Sequence, residues 1–209
     1  MLQPSFNRED VQILEKSRDF QGYFGIDRYV FRHRAFAGGW LGPIKREVFE
    51  RGHAAAMLPY DPQTREFVMC EQFRIGAFAA DWPAWQLELV AGIIEIGETA
   101  EDVVRRESIE ECGRAVSDLI PIQSYLVSPG GTSESIKVFL GRVSVESGEG
   151  IFGVPEEGEN IRALIVPETE LLELLEDGKL SNAATLIAVQ WFALHRSSIL
   201  EKWETAKPV

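Results

Sequence analysis

Three carboxylates, Glu107, Glu110 and Glu111, are spaced i, i+3 and i+4 within the stretch Ala100 to Cys112. On a helix turning about 100° per residue they fall within roughly a 100° arc. Ala100, Val103 and Val104 fall on the same face, while Glu101, Asp102 and Arg105 point away. The acids therefore continue an apolar face that should turn inward. Close, partly buried carboxylates are costly unless a cation neutralises them. Oxygen-only ligation suits Mg²⁺ or Mn²⁺ rather than zinc. The wheel alone leaves three readings: a metal site, an ion-pair network with Arg106, or a solvated face.

The flanks fit a helix of these bounds. Thr99 with Asp102 reads as a capping box, and Gly113 stands where a helix C-terminal glycine belongs. Before it lies Ala91-Gly92-Ile93-Ile94-Glu95-Ile96-Gly97-Glu98. Its glycines let a loop pack tightly on the helix start and leave backbone groups free to bind. An ordinary strand-to-helix connection is the alternative. The later stretch Pro155-Glu156-Glu157-Gly158-Glu159 reads on its own as a solvated acidic turn. A lone arginine such as Arg51 or Arg74 more often makes a surface ion pair than a ligand contact.

Periodicity predicts the elements that must hold these groups. Tyr23 to Phe36 is aromatic and alternating and predicts a strand. It pairs with Ile44 to Phe49 across a link holding Gly38, Gly39, Gly42 and Pro43. Ala54 to Tyr60 and Phe67 to Arg74 predict a hairpin around Asp61-Pro62-Gln63-Thr64. Trp85 to Val90, Gln123 to Val127, Lys137 to Val145 and Ile161 to Val166 predict further strands. Glu168 to Glu176, stopped by Gly178, and Ala184 to Trp203 predict helices, with Trp191, Phe192 and Leu194 as core. The sum is a mixed α/β chain, with a β-rich subdomain over residues 1–50 and a main domain over 51–209.

The chain has 209 residues and a net charge of −12, with 45% hydrophobic and 26% charged residues, the balance of a globular protein. Through Arg74 there are 11 basic and 10 acidic residues; beyond it there are 10 and 23. Anion contacts are therefore sought in the first third, and carboxylate chemistry in the rest. The acidic total argues against nucleic acid, which needs a basic face. No apolar run reaches the ~18 residues of a membrane span. Met1 to Val11 is polar and lacks the apolar core of a secretory leader, so the cytoplasm is expected. Cys70 and Cys112 cannot build a disulfide framework, and His33, His53 and His195 are too scattered for a histidine metal cluster.

Taken together, Gly92, five residues, Glu98, seven residues, then Arg106-Glu107-x-x-Glu110-Glu111-x-Gly113 resemble the Nudix box, the defining motif of the Nudix hydrolase family. Such a pattern arises by chance in on the order of one chain in a million. Ser108 and Arg114 stand where relatives usually carry aliphatic residues, and Ser108 is small enough to fit. Pro129 lies 15 residues beyond Arg114, within Ser128-Pro129-Gly130-Gly131-Thr132-Ser133-Glu134, and resembles the ADP-ribose pyrophosphatase branch. Arg46-Glu47, Glu50 to Ala55, Glu71 to Arg74 and Glu156 to Arg162 resemble that branch too.

The resemblance implies an α/β/α sandwich around a mixed sheet, and a reaction that cleaves ADP-ribose to AMP and ribose 5-phosphate. It implies Mg²⁺, with Mn²⁺ as a substitute, in about two or three ions. Glu107, Glu111 and the Ala91 carbonyl would bind metal directly, Glu110 through water or a second ion, and Glu159 as a third acidic ligand. Glu157 would be the general base, with Glu156 its competitor, and Glu98 and Arg106 an orienting pair. Arg51 and Arg74 would meet phosphate or the terminal ribose, and Arg46 and Glu47 the nucleoside end. Tyr23 and Phe24 would stack on adenine from the other subunit of a homodimer, their simpler reading being strand packing. Ile93, Ser128, Gly130 and Glu134 would line the distal ribose beside Pro129. The N-terminal strands would be exchanged or packed in that dimer, which would also protect an aromatic sheet edge. A GDP-sugar or similar nucleotide sugar is the alternative substrate, and a non-catalytic nucleotide-binding module the alternative of another class. His53 and His195 are read as structural, and Cys112 as a small buried residue.

Overall fold

The computed structural model describes residues 3–205, without the side chains of Glu157, Glu204 and Thr205. The chain forms two compact units, one of Met1–His53 with Leu126–Ser135, the other of Ala54–Tyr125 with Ile136–Val209.

The first unit is an antiparallel sheet in the order β1 (Val11–Gln21), β2 (Gly25–Arg34), β3 (Trp40–Glu50). β2 is shorter than the strand expected over Tyr23 to Phe36. A turn closed by Gly22 N–H and Phe24 O at 2.9 Å leaves Tyr23 and Phe24 outside the ladder. β3 starts earlier than expected, because Trp40 pairs with Arg34 and Leu41 with His33. β1 has no counterpart among the expected strands. Register shifts between Ile13 and Glu15 and between Arg18 and Phe20 break its alternation, and Ile13, Leu14 and Phe20 are all exposed. Buried Asp27 on β2 anchors it through Lys16 at 2.9 Å and through Arg18. Leu126–Ser135 joins this unit, although the sequence reading places it in the 51–209 region. Phe49 N–H donates to Gly131 O and Thr132 Oγ1 donates to Phe49 O, each at 2.8 Å, and Ser133 Oγ donates to Glu50.

The second unit is a mixed sheet with the path β10 (Gly150–Phe152), β11 (Ile161–Pro167), β5 (Glu66–Phe73), β4 (Ala54–Asp61), β9 (Ser135–Arg142), β8 (Asp118–Leu126). β4 runs parallel to β9 and antiparallel to β5. β4 and β5 pair only at Tyr60 with Phe67 and Asp61 with Glu66, then splay. β6 (Trp85–Glu88) adds to β5 and β7 (Val90–Ile93) to β4. The strand expected over Trp85 to Val90 is therefore two, changing partner at Leu89. A short helix, α1 (Ile75–Ala79), lies between β5 and β6.

Alternation along the strands decides the layers. Leu58, Tyr60, Phe67, Met69, Val138 and Leu140 face one way, with Leu171, Val189, Phe192 and Trp203 from the two C-terminal helices. Ala55, Met57, Val68, Cys70 and Phe139 face the other way, with Ala100, Val103, Val104 and Cys112. Those layers are α2 (Ala100–Cys112) on one face and α3 (Glu168–Glu176) with α4 (Ala183–Thr205) on the other. A strand covered on both faces must bury both of its alternating sets, so this unit is the expected α/β/α sandwich. Leu194 departs from expectation: it is 83% exposed on α4, while Phe192 two residues earlier is fully buried. Among the described residues, no helix is long and apolar enough to cross a membrane.

Candidate metal and phosphate site

Local sequence fixes the carboxylate helix. Thr99 Oγ1 accepts the Asp102 N–H at 3.2 Å, and the Asp102 carboxylate accepts the Thr99 N–H at 3.1 Å. At the other end Gly113 adopts φ 66°, and the N–H groups of Gly113 and Arg114 reach the Ile109 and Ser108 carbonyls at 3.0 and 2.9 Å. Val103 and Val104 are fully buried, and the same face carries Glu111 inward to 2% exposure. The Glu107 side chain is 12% exposed and Glu110 37%, so Glu110 sits at the rim.

β7 supplies the opposite wall. Ala91 N–H donates to Glu111 Oε2 at 2.9 Å. A Cβ on the next residue, Gly92, would overlap Glu107 Oε1. Glycine is needed there for the close approach, not for backbone freedom. Arg106 donates through Nε to Glu98 at 3.2 Å and through Nη1 to Glu107 at 2.8 Å and Glu110 at 3.0 Å. Glu98 also accepts the Glu95 N–H at 3.1 Å.

The electrostatics leave this pocket short of positive charge. Burial pushes the Glu107 carboxyl up to about 7, although Arg106 pulls it down. Burial pushes Glu111 up to about 8, against the Ala91 N–H and the charge of Arg74. The charge of Glu159 raises both. Glu159 is held by the Val154 N–H at 3.1 Å. Among the described residues no three His, Cys, Asp or Glu side chains already form a metal cage. The oxygen-only donor set, a single arginine shared by Glu98, Glu107 and Glu110, the buried Glu111 held by only a backbone N–H and the side-chain-free approach at Gly92 nevertheless fit a hard divalent cation. The Glu157 backbone lies in the 3-10 turn Pro155–Glu157, capped by Gly158 at φ 75°, but its side chain falls outside the described ones.

Arg74, expected at phosphate, donates through Nε and Nη2 to Glu88 Oε2, each at 2.8 Å. Asn182 Nδ2 donates to the other oxygen, Glu88 Oε1, at 2.9 Å. The sequence reading named neither partner. Their signals were a second polar residue, after Gln86, in an otherwise apolar strand, and an asparagine directly before a helix.

In the first unit Tyr23, Phe24, Arg51 and Glu134 are brought together. Arg51 Nη1 lies 3.3 Å from Glu134 Oε1, and its guanidinium carbon 5.2 Å from the Phe24 ring centre. Phe24 meets Tyr23 edge-on at 4.7 Å and Phe49, which was not anticipated, at 5.2 Å. Arg46 and Glu47 are exposed neighbours on β3, so they point to opposite faces of the strand, and Arg46 Nη1 bonds the Lys45 carbonyl at 2.7 Å. Ser128, Pro129 and Gly130 form an exposed turn, in which the Gly131 and Thr132 N–H groups donate to Ser128 O at 3.0 Å. In the second unit Ile93 pairs with Ala54 in the sheet. Burial pushes the Cys112 thiol up to about 11, which suits packing rather than attack. Ser108 is fully buried, and Arg114 is buried with Nη2 donating to Gly148 O.

The model of the NUDIX domain family matches residues 50–207. The ADP-ribose pyrophosphatase of Escherichia coli (strain K12) is 44% identical over 208 residues, 97% of this chain and 100% of that protein. The GDP-mannose pyrophosphatase of Pectobacterium atrosepticum is 30% identical over 190 residues, 88% of this chain and 97% of that protein. A solved ADP compounds hydrolase aligns with a TM-score of 0.66 over 90% of this chain and 97% of that one; at 19% identity this likeness shows the fold.

Proposed function

The chain belongs to the Nudix family, and on that premise we propose that it hydrolyses the pyrophosphate of ADP-ribose, releasing AMP and ribose 5-phosphate. The observation that carries the chemistry is the buried pair Glu107 and Glu111, set on α2 against Gly92 and Ala91. The near-full-length likeness to an ADP-ribose pyrophosphatase supports the substrate over a GDP-sugar.

Glu107 and Glu111, with the Ala91 carbonyl, Glu110 and Glu159, would hold magnesium, for which manganese would substitute, in about two or three ions. When bound, such ions neutralise the diphosphate and lower the pKa of water. Glu98 fixes Arg106, and Arg106 sets the side chains of Glu107 and Glu110. Glu157 takes the proton of the attacking water, with Glu156 as the neighbouring alternative. The water oxygen bonds to one phosphorus, and the bridging oxygen leaves with the other phosphate. Arg51 and Arg74 meet the phosphates or the terminal ribose. Tyr23 and Phe24 stack on adenine, and Arg46 and Glu47 hold the nucleoside end. Ile93, Ser128, Pro129, Gly130 and Glu134 line the distal ribose. The reading includes a homodimer, which the exposed apolar side chains of edge strand β1 support, and a cytoplasmic location, which the free thiols Cys70 and Cys112 support. The acidic chain is not a nucleic-acid or membrane binder in this reading.

The test is kcat/KM for ADP-ribose against GDP-mannose under identical conditions. A preference for ADP-ribose of about tenfold or more is expected. Preference for GDP-mannose overturns the substrate. Nucleotide binding without cleavage of either overturns the enzyme.

A further inference from the structure

We propose that Glu88 is a positioning residue, clamped by Asn182, which fixes the Arg74 guanidinium for the substrate's phosphate. This rests on the reading that Arg74 meets substrate. The geometry supplies the rest. Arg74 directly follows β5 where the chain leaves the sheet, with its N–H on Ala84 O at 2.7 Å. Its long side chain is 45% exposed and by itself would sample many rotamers. Glu88 at the end of β6 is only 5% exposed. Two guanidinium nitrogens converge on Glu88 Oε2 at 2.8 Å, so both the position and the tilt of the plane are set.

Glu88 is fixed in turn. Asn182 Nδ2 holds Oε1 at 2.9 Å, while Asn182 Oδ1 accepts the Thr185 N–H at 3.2 Å and caps α4. One residue earlier, Ser181 Oγ donates to Gln86 Oε1 at 2.6 Å, stitching the same segment to β6 a second time. The relay therefore runs from the first turn of α4, through a buried carboxylate, to a half-exposed cation. Among the described residues Nη1 makes no hydrogen bond, which leaves it for a ligand. Because the anchor is buried and the anchored group faces out, the pair orders a binding group in advance of binding.

The test is steady-state kinetics of Glu88→Gln made alone and in an Arg74→Gln background. Arg74→Gln is expected to raise KM for ADP-ribose about tenfold. Glu88→Gln alone should raise KM about fivefold with kcat within about twofold, and should add less than about twofold once Arg74 is gone. Asn182→Ser keeps a capping oxygen but removes the donor to Glu88; it should show the same pattern more weakly, and it replaces Glu88→Gln if that variant does not fold. An equal KM loss in both backgrounds, or no KM change from Glu88→Gln, overturns the positioning role. Unchanged kinetics of Arg74→Gln alone instead overturns the underlying reading of Arg74.

Discussion

Glu111 Oε2 accepts the Ala91 N–H at 2.9 Å, which pins the most buried carboxylate of α2 to the neighbouring strand β7 through one backbone donor. One donor does not offset burial. The carboxyl still rises to about 8, and Glu107 beside Gly92 rises to about 7.

The stability of the metal-free protein should therefore fall as pH rises. Both folded-state values lie above the ordinary 4.5, so between 4.5 and about 8 the folded chain binds more protons than the unfolded one. Their contribution is fully present below pH 4.5 and is lost as pH passes through 7 and 8. The lowered carboxyls Asp27, Glu98, Asp102 and Asp118 act only at the acid end of the range. Magnesium binds the ionised forms and should flatten or reverse the slope. Thermal melting from pH 5 to pH 9, with chelator and with Mg²⁺, checks this. A melting temperature that climbs with pH in chelator contradicts it.

Glu111→Gln keeps the shape of the side chain and an acceptor for Ala91, but removes the charge. Turnover should drop by about 10³-fold or more while the fold persists. The pH slope of melting in chelator should shrink in the same variant. Near-normal turnover would refute the metal role.

Gly92→Ala places a methyl onto Glu107 and should cost about 1–3 kcal/mol and most of the activity. Gly76→Ala is the control: nothing lies within 4 Å of its added Cβ, and its effect should stay within about 0.5 kcal/mol. Denaturant titration and turnover of the two variants decide between a packing requirement and general sensitivity to alanine.

The carboxylate helix was legible because its signals are local. The capping box, the buried valines and Gly113 fix thirteen residues without outside help. The apolar runs of β4 and β5 marked both as strands in the same way, whereas the sandwich itself was implied only by the resemblance to the Nudix family. What was not legible depends on distant partners. β1 was hidden by its two register shifts, which spoil the alternation that would mark a strand. Leu89 breaks one apolar run into two strands only because β4 and β5 splay on either side of it. Glu88 and Asn182 are 94 residues apart, and neither names the other in sequence. The residues 126–135 join the first unit through hydrogen bonds to Phe49 and Glu50 that no local pattern shows.

Glu157→Gln should lower kcat by about 10²-fold or more while leaving metal affinity near that of the wild type, because a base acts in the transition state. Glu156→Gln should retain most turnover. Manganese titration beside single-turnover kinetics separates the two. Full turnover by the Glu157 variant would move the base to Glu156 or another group.

Product analysis of ADP-ribose incubated with the protein in Mg²⁺ and in chelator bears most directly on the reaction assigned to the α2 carboxylates. AMP and ribose 5-phosphate in equal amounts, formed only with metal, is the expected result. Cleavage that continues in chelator, or intact ADP-ribose in the presence of Mg²⁺, would contradict it.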